Sequence, residues 1–147
     1  VFDAAGSTGT NTSNKLDEYE EGNFAPFVFG GTTAGTASYT YRNGKYTKIG
    51  RQVTVQVYIS WSSGTGAGNL RVGGFPFTSN SSGAHYASPA IGEHNQVSFT
   101  AGNTLSGLMS ANTTSLTMTQ SGPNISPSQV SYDPAAYIIF TLTYFTN

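Results

Sequence analysis

The sequence contains no cysteine, so neither a disulfide nor a thiolate metal site or nucleophile can be built from it. Charge is scarce as well. Lysine, arginine, aspartate and glutamate together make up 9% of the 147 residues, where soluble domains ordinarily carry about 25%. Six basic residues within a net charge of −1 give no electrostatic hold on a phosphate backbone, which argues against a nucleic-acid partner. No apolar run approaches the ~20 residues that a membrane-spanning helix needs. The longest is AAYIIF at residues 135–140, ending in YIIF at 137–140, so membrane insertion is not expected. Neither an initiator methionine nor a signal peptide is visible, and the expectation is a processed chain or a piece of a longer polypeptide.

What is present is hydroxyl, glycine and aromatic surface. There are 20 threonines, 18 serines and 18 glycines, and aromatics reach 13%, too many for a disordered chain. This composition suits short strands and tight turns. Charge is also unevenly spread: ten of the thirteen charged residues fall in residues 1–51, leaving only Arg71, Glu93 and Asp133 beyond Gln52. A surface so poor in charge associates readily with copies of itself, and a homo-oligomer is expected.

Residues 1–15 are rich in Gly, Ser, Thr and Asn without periodicity and read as a linker or extended entry segment. Residues 16–22 (LDEYEEG) have helical leanings sufficient for one or two turns. Residues 24–29 read as an apolar strand whose Pro26 places it at an edge or bulge. In residues 38–49 (SYTYRNGKYTKI), Asn43-Gly44 predicts the type I′ turn of a hairpin that brings Tyr41 near Tyr46. Residues 52–61 alternate strictly: Val53, Val55, Val57, Ile59 and Trp61 form the core face of a half-buried strand. Further strands are predicted at 69–72, 85–91, 96–100, 104–110, 115–120, 129–132 and 137–145, the last apolar enough to be covered on both faces. Short strands with no helical period between them predict an antiparallel β-sandwich.

Groups able to do chemistry are few. The nucleophile-elbow pattern G-x-S-x-G and the phosphate loop G-x-x-x-x-G-K-S/T are both absent. His85 and His94, with Glu93 beside the latter, could bind zinc in principle, but their spacing matches no established ligand pattern. The acidic run Asp17, Glu18, Glu20, Glu21 could hold calcium or serve a glycosidase. Adjacent carboxylates on one short segment diverge, however, and glycoside hydrolysis needs two that face each other. A solvated entry segment is the simpler account. Among the aromatics Tyr39, Tyr41, Tyr46, Tyr58, Trp61, Tyr86 and Tyr144, most are expected to fill the core or a subunit interface. Tyr58 and Tyr86 lie on less apolar faces and are the better candidates to stack on sugars. With His85 and His94 they form the predicted glycan-contact set, centred on the turns of residues 78–94. No catalytic residue and no cofactor is expected. Four N-x-S/T sequons, at Asn11, Asn80, Asn112 and Asn124, are about what chance gives in so hydroxyl-rich a chain.

Three segments together resemble a known family. LDEYEEGNFAPF at residues 16–27 is similar to the L-D-D/E-Y-E-E-G-T/N-F/W-x-P that opens the C-terminal domains of many tailed-bacteriophage tail fibres and tailspikes. SYTYRNGKYTKIGRQV resembles their Y-x-x-x-G-x-Y-x-K-I-G segment, and NLRVGGFPFTS at residues 69–79 resembles their G-L/F-P-F turn. Glu18 and Asn23-Phe24 depart mildly from the commoner residues. The resemblance implies a trimeric, jelly-roll-like sandwich over residues 23–147, preceded by a lead-in of residues 1–22 carrying the acidic motif. It implies a non-enzymatic virion module at the end of a fibre or spike, made in the bacterial cytoplasm and displayed outside the cell. Its partners would be two further copies, other tail or baseplate proteins through the upstream region, and a host-surface glycan. A monomeric carbohydrate-binding accessory module of a secreted enzyme, or a fibre decorating a head, are the alternatives.

Overall fold

A computed structural model describes residues 19–123 and 125–147. Ten strands account for its regular structure: β1 (Tyr19–Phe24), β2 (Phe27–Gly30), β3 (Ser38–Ile49), β4 (Gln52–Ser62), β5 (Leu70–Gly73), β6 (Ala90–Asn95), β7 (Thr104–Leu108), β8 (Ser115–Gly122), β9 (Ile125–Gln129) and β10 (Ala136–Phe145). No described residue is helical. One sheet has the order β1-β3-β4-β10-β6 and the other β2-β5-β8-β7, with β9 also paired to β8. Every strand pairing is antiparallel. The predicted all-β antiparallel sandwich is therefore the fold.

The core forms where the two sheets face each other. Val53, Val55, Val57, Ile59 and Trp61 of β4 are all buried, as their alternation predicts, beside Ala136, Ile138, Phe140, Leu142 and Tyr144 of β10. Val28, Leu70, Val72, Leu116 and Met118 cover them from the second sheet. The Trp61 indole satisfies its one donor by bonding the Asp133 carbonyl at 2.9 Å, which lets a polar ring sit in an apolar layer.

Local signals misled at several places. Residues 19–22 are extended, not helical: they begin β1 and pair with β3 from Tyr19↔Ile49 to Phe24↔Gly44. Cross-strand pairing here overrides a weak helical propensity. Residues 1–18, including Leu16, Asp17, Glu18 and most of the expected lead-in, lie outside the described residues. The apolar run 24–29 is two strands, with Ala25-Pro26 at the corner where the chain leaves one sheet for the other. Proline's missing N–H does no harm at such a corner.

Asn43-Gly44 is not a turn. Neither residue has a positive φ, and both lie within β3, opposite Tyr58 and Val57 of β4. Tyr41 and Tyr46 consequently face Ser60 and Val55, not each other. The reversal falls at Gly50-Arg51, between the paired Ile49 and Gln52, and Gly50 supplies the positive φ of 56°. A continuous twelve-residue strand pairs with neighbours on both sides, which a hairpin at Asn43-Gly44 would forfeit.

The predicted strands at 85–91 and 96–100 are replaced by one strand, β6, which overlaps the first of them at Ala90 and Ile91; Gln96, at φ 60°, ends it. The strand expected at 129–132 is shifted back to Ile125–Gln129. Only one face of β10 is buried in the single chain: Thr141, Thr143 and Phe145 of the other face are exposed.

Candidate functional site

Cross-strand pairing decides which side chains share the open face of the five-stranded sheet. Gln52, Thr54, Gln56, Tyr58 and Ser60 of β4 point away from the core, and their partners do the same. On β10 these are Tyr137, Ile139, Thr141, Thr143 and Phe145; on β3 they are Tyr41, Asn43, Lys45, Thr47 and Ile49. The outer edges contribute Glu21 and Asn23 from β1 and Glu93 and Asn95 from β6. Only Glu21, Lys45 and Glu93 are charged among these strand residues.

Two features organise the face. Tyr41 and Tyr58 stack with ring centroids 4.6 Å apart and an interplanar angle of 20°. Tyr137 meets Tyr58 edge to face at 6.3 Å, and its hydroxyl donates to Glu93 Oε1. That bond, which is made by the protonated phenol, holds the Tyr137 pKa above the ordinary tyrosine value. Three adjacent strands thus raise a row of tyrosines, with a carboxylate from a fourth strand at its end. Beside the row lies a concavity of about 540 Å³, bordered by Glu21, Asn23, Lys45, Thr47, Thr54 and Gln56. Its floor is hydroxyl and amide, and Thr54 and Thr143 touch through their hydroxyls at 2.9 Å.

A second cleft, of about 330 Å³, lies at the end of β10 and holds His85 and Tyr86 together with Ser79, Met109, Tyr144 and Phe145. The segment that closes it is tied down by its own asparagines and serines. Asn80 N–H donates to the Phe145 carbonyl at 2.7 Å, Ser79 Oγ to the Ser110 carbonyl at 2.7 Å, and Ser82 N–H to Asn80 Oδ1 at 2.8 Å. Tyr86 is 58% exposed.

The four residues predicted for glycan contact therefore occupy three places. His85 and Tyr86 share the small cleft. Tyr58 belongs to the tyrosine row on the open sheet face. His94 is turned the other way on β6 and packs edge-on against Phe99, with centroids 5.4 Å apart. Glu93 and His94, on opposite faces of one strand, do not converge on a shared ligand, and His85 belongs to the separate cleft. Among the described residues no three metal-binding side chains cluster. Glu20 and Glu21 also diverge, as adjacent strand residues must: Tyr46 Oη donates to Glu20 at 2.6 Å, whereas Tyr19 donates to Glu21.

The sequence reasoning missed Tyr137 altogether. Within its own strand it alternates with apolar residues on both sides and looks like filling. Only the β4–β10 register, which no local pattern encodes, sets it beside Tyr58. Trp61 and Tyr144 are buried, while Tyr39 and Tyr46 are half-buried against the core, so none of these offers a free ring.

No family model matches the chain, and no curated protein matches it significantly. Among solved structures it is similar to the crystal structure of the Dettilon tailspike protein, with a TM-score of 0.64 and 17% sequence identity. The match covers 86% of this chain and 24% of the tailspike chain. The chain thus corresponds to about a quarter of that longer protein and shares the fold of that part.

Proposed function

We propose that the chain is a non-enzymatic virion module, the C-terminal domain of a bacteriophage tail fibre or tailspike, which trimerises and takes part in attachment to a host-surface glycan. The observation that carries this reading is the correspondence of nearly the whole chain to one segment of a tailspike, in agreement with the three motifs that resemble fibre and spike domains. The charge-poor surface supports self-association, because an interface built from hydroxyl, amide and aromatic groups desolvates few charges. Tail or baseplate proteins are the further partners, reached through upstream sequence.

Sedimentation of the 147-residue chain at micromolar concentration tests the assembly, with a trimer mass expected; a monomer would point to an isolated carbohydrate-binding module. Adsorption of particles to cells in the presence of excess domain tests attachment, with competition expected. No fall in polysaccharide chain length is expected on incubation with the domain, and depolymerisation would contradict the non-enzymatic assignment.

A further inference from the structure

We propose that the open face of the five-stranded sheet is a binding site for neutral oligosaccharides, with Tyr41, Tyr58 and Tyr137 as the stacking platform and Glu93, Lys45, Gln56 and Thr54 as hydrogen-bonding partners. This rests on the attachment role proposed above and assigns it to a surface. A pyranose ring presents a face of C–H groups and a rim of hydroxyls. Recognition therefore calls for aromatic rings next to acceptors and donors fixed in position, and this face has that combination. Tyr41 is 46% exposed even though it stacks on Tyr58. The Glu93 carboxylate, positioned by the Tyr137 hydroxyl, retains further acceptor sites for sugar O–H groups. The adjoining concavity of about 540 Å³ falls within the ~300–1,000 Å³ typical of small-ligand sites.

Charge selects the class of sugar. Two carboxylates and one ammonium stand on this face, so a uronate-rich polymer would be repelled where a neutral one is not. A second copy of the chain is the rival occupant. It would have to bury Glu21, Lys45 and Glu93, and a charge buried without hydrogen-bonding partners is costly. A sugar supplies those partners itself. The cleft at His85 and Tyr86 is smaller and is backed by Met109 and Phe145, which leaves fewer polar groups for a carbohydrate.

The test measures retention of the 147-residue chain on two immobilised sets of bacterial surface polysaccharides, one of neutral repeat units and one containing uronic acids. Wild type should be retained by at least one neutral polymer and by none of the uronate set. Tyr58→Ala and Tyr41→Ala should each weaken retention about tenfold or more, and Glu93→Gln should weaken it less, all with unchanged oligomeric mass. Tyr86→Ala should bind like wild type. Absence of neutral binding, retention that survives both tyrosine substitutions, or loss only with Tyr86→Ala would each overturn the assignment. Dissociation of the oligomer by Tyr58→Ala would overturn it too and mark the face as an interface between copies. A wild-type trimer that competes for adsorption while the tyrosine variants compete equally well would remove this site and leave the attachment role standing. A monomer that does not compete would remove the attachment role itself.

Discussion

Gly44 lies directly beneath the aromatic ring of Phe24, so close that a Cβ at residue 44 would stand 2.6 Å from the ring. The same relationship recurs two residues along, where a Cβ at Gly22 would stand 2.8 Å from the ring of Tyr46. Each strand thus supplies one glycine and one ring to the other, and β1 is clasped onto β3. The third motif closes the cluster: Phe75 meets Phe24 edge-on at 6.0 Å, and Phe77 meets Tyr46 edge-on at 5.3 Å. The three segments that carry the family resemblance are therefore packing partners at one end of the sandwich. The glycines and rings of these segments are accounted for by packing within this chain.

Gly44→Ala is expected to destabilise the domain by about 1–3 kcal/mol, the usual cost of forcing extra volume into a filled site. Phe24→Ala alone should also destabilise it, by removing the ring. Combined, the two should cost less than their sum, because the clash disappears with the ring. Urea unfolding of the two single variants and the double variant measures this coupling; strict additivity would show that the ring and the glycine do not constrain one another.

Val57→Asp addresses the core. Val57 is 2% exposed and faces Gly44 on one side and Phe140 on the other. A carboxylate there would be buried without a partner, and burying an unpaired charge is among the largest single-residue penalties. No soluble folded protein is expected, as judged by expression and far-ultraviolet circular dichroism. A Val57→Asp protein with wild-type melting would contradict the placement of this strand.

Which features the sequence makes legible follows from how local each signal is. Residues 52–61 declare both strand and buried face, because alternation is a property of consecutive residues. Asn43-Gly44 shows the limit: the dipeptide is a strong turn signal, yet its glycine serves a ring from a strand twenty residues earlier. The tyrosine row has the same difficulty. Tyr41, Tyr58 and Tyr137 come from three distant segments, and their meeting depends on the order and register of β3, β4 and β10. Tyr58 could be singled out from its polar face, but its companions could not.

Tyr132→Phe probes a polar atom that the fold leaves unserved. The Tyr132 hydroxyl is buried and finds no hydrogen-bond partner among the described residues, and burial pushes its pKa up. Its ring packs against Gly64 and Gly66, a contact that phenylalanine preserves. Since an unsatisfied buried hydroxyl costs about 1–3 kcal/mol, the substitution should leave stability unchanged or raise it. A clear loss of stability on denaturant titration would mean that the hydroxyl has a partner.

Tyr144 gives the opposite result and a pH signature. Its hydroxyl donates to the Phe77 carbonyl at 3.0 Å, and burial pushes its pKa above the ordinary tyrosine value, up to about 12. Between about pH 10 and pH 12 the unfolded chain has released this proton while the folded chain still holds it. The folded state then binds more protons than the unfolded one, so the slope of unfolding free energy against pH is negative. The stabilisation is complete below about pH 10 and is lost as pH rises through the folded value. Tyr132, Tyr46, Tyr19 and Tyr137 are shifted in the same direction and add to the decline. Tyr144→Phe should cost about 0.5–1.5 kcal/mol at neutral pH through the lost hydrogen bond, yet its stability should fall less steeply above pH 10 than that of the wild type. Thermal unfolding midpoints of both proteins from pH 7 to pH 12 decide the matter. Parallel curves for the two would show that Tyr144 titrates in the folded protein as it does in the unfolded chain.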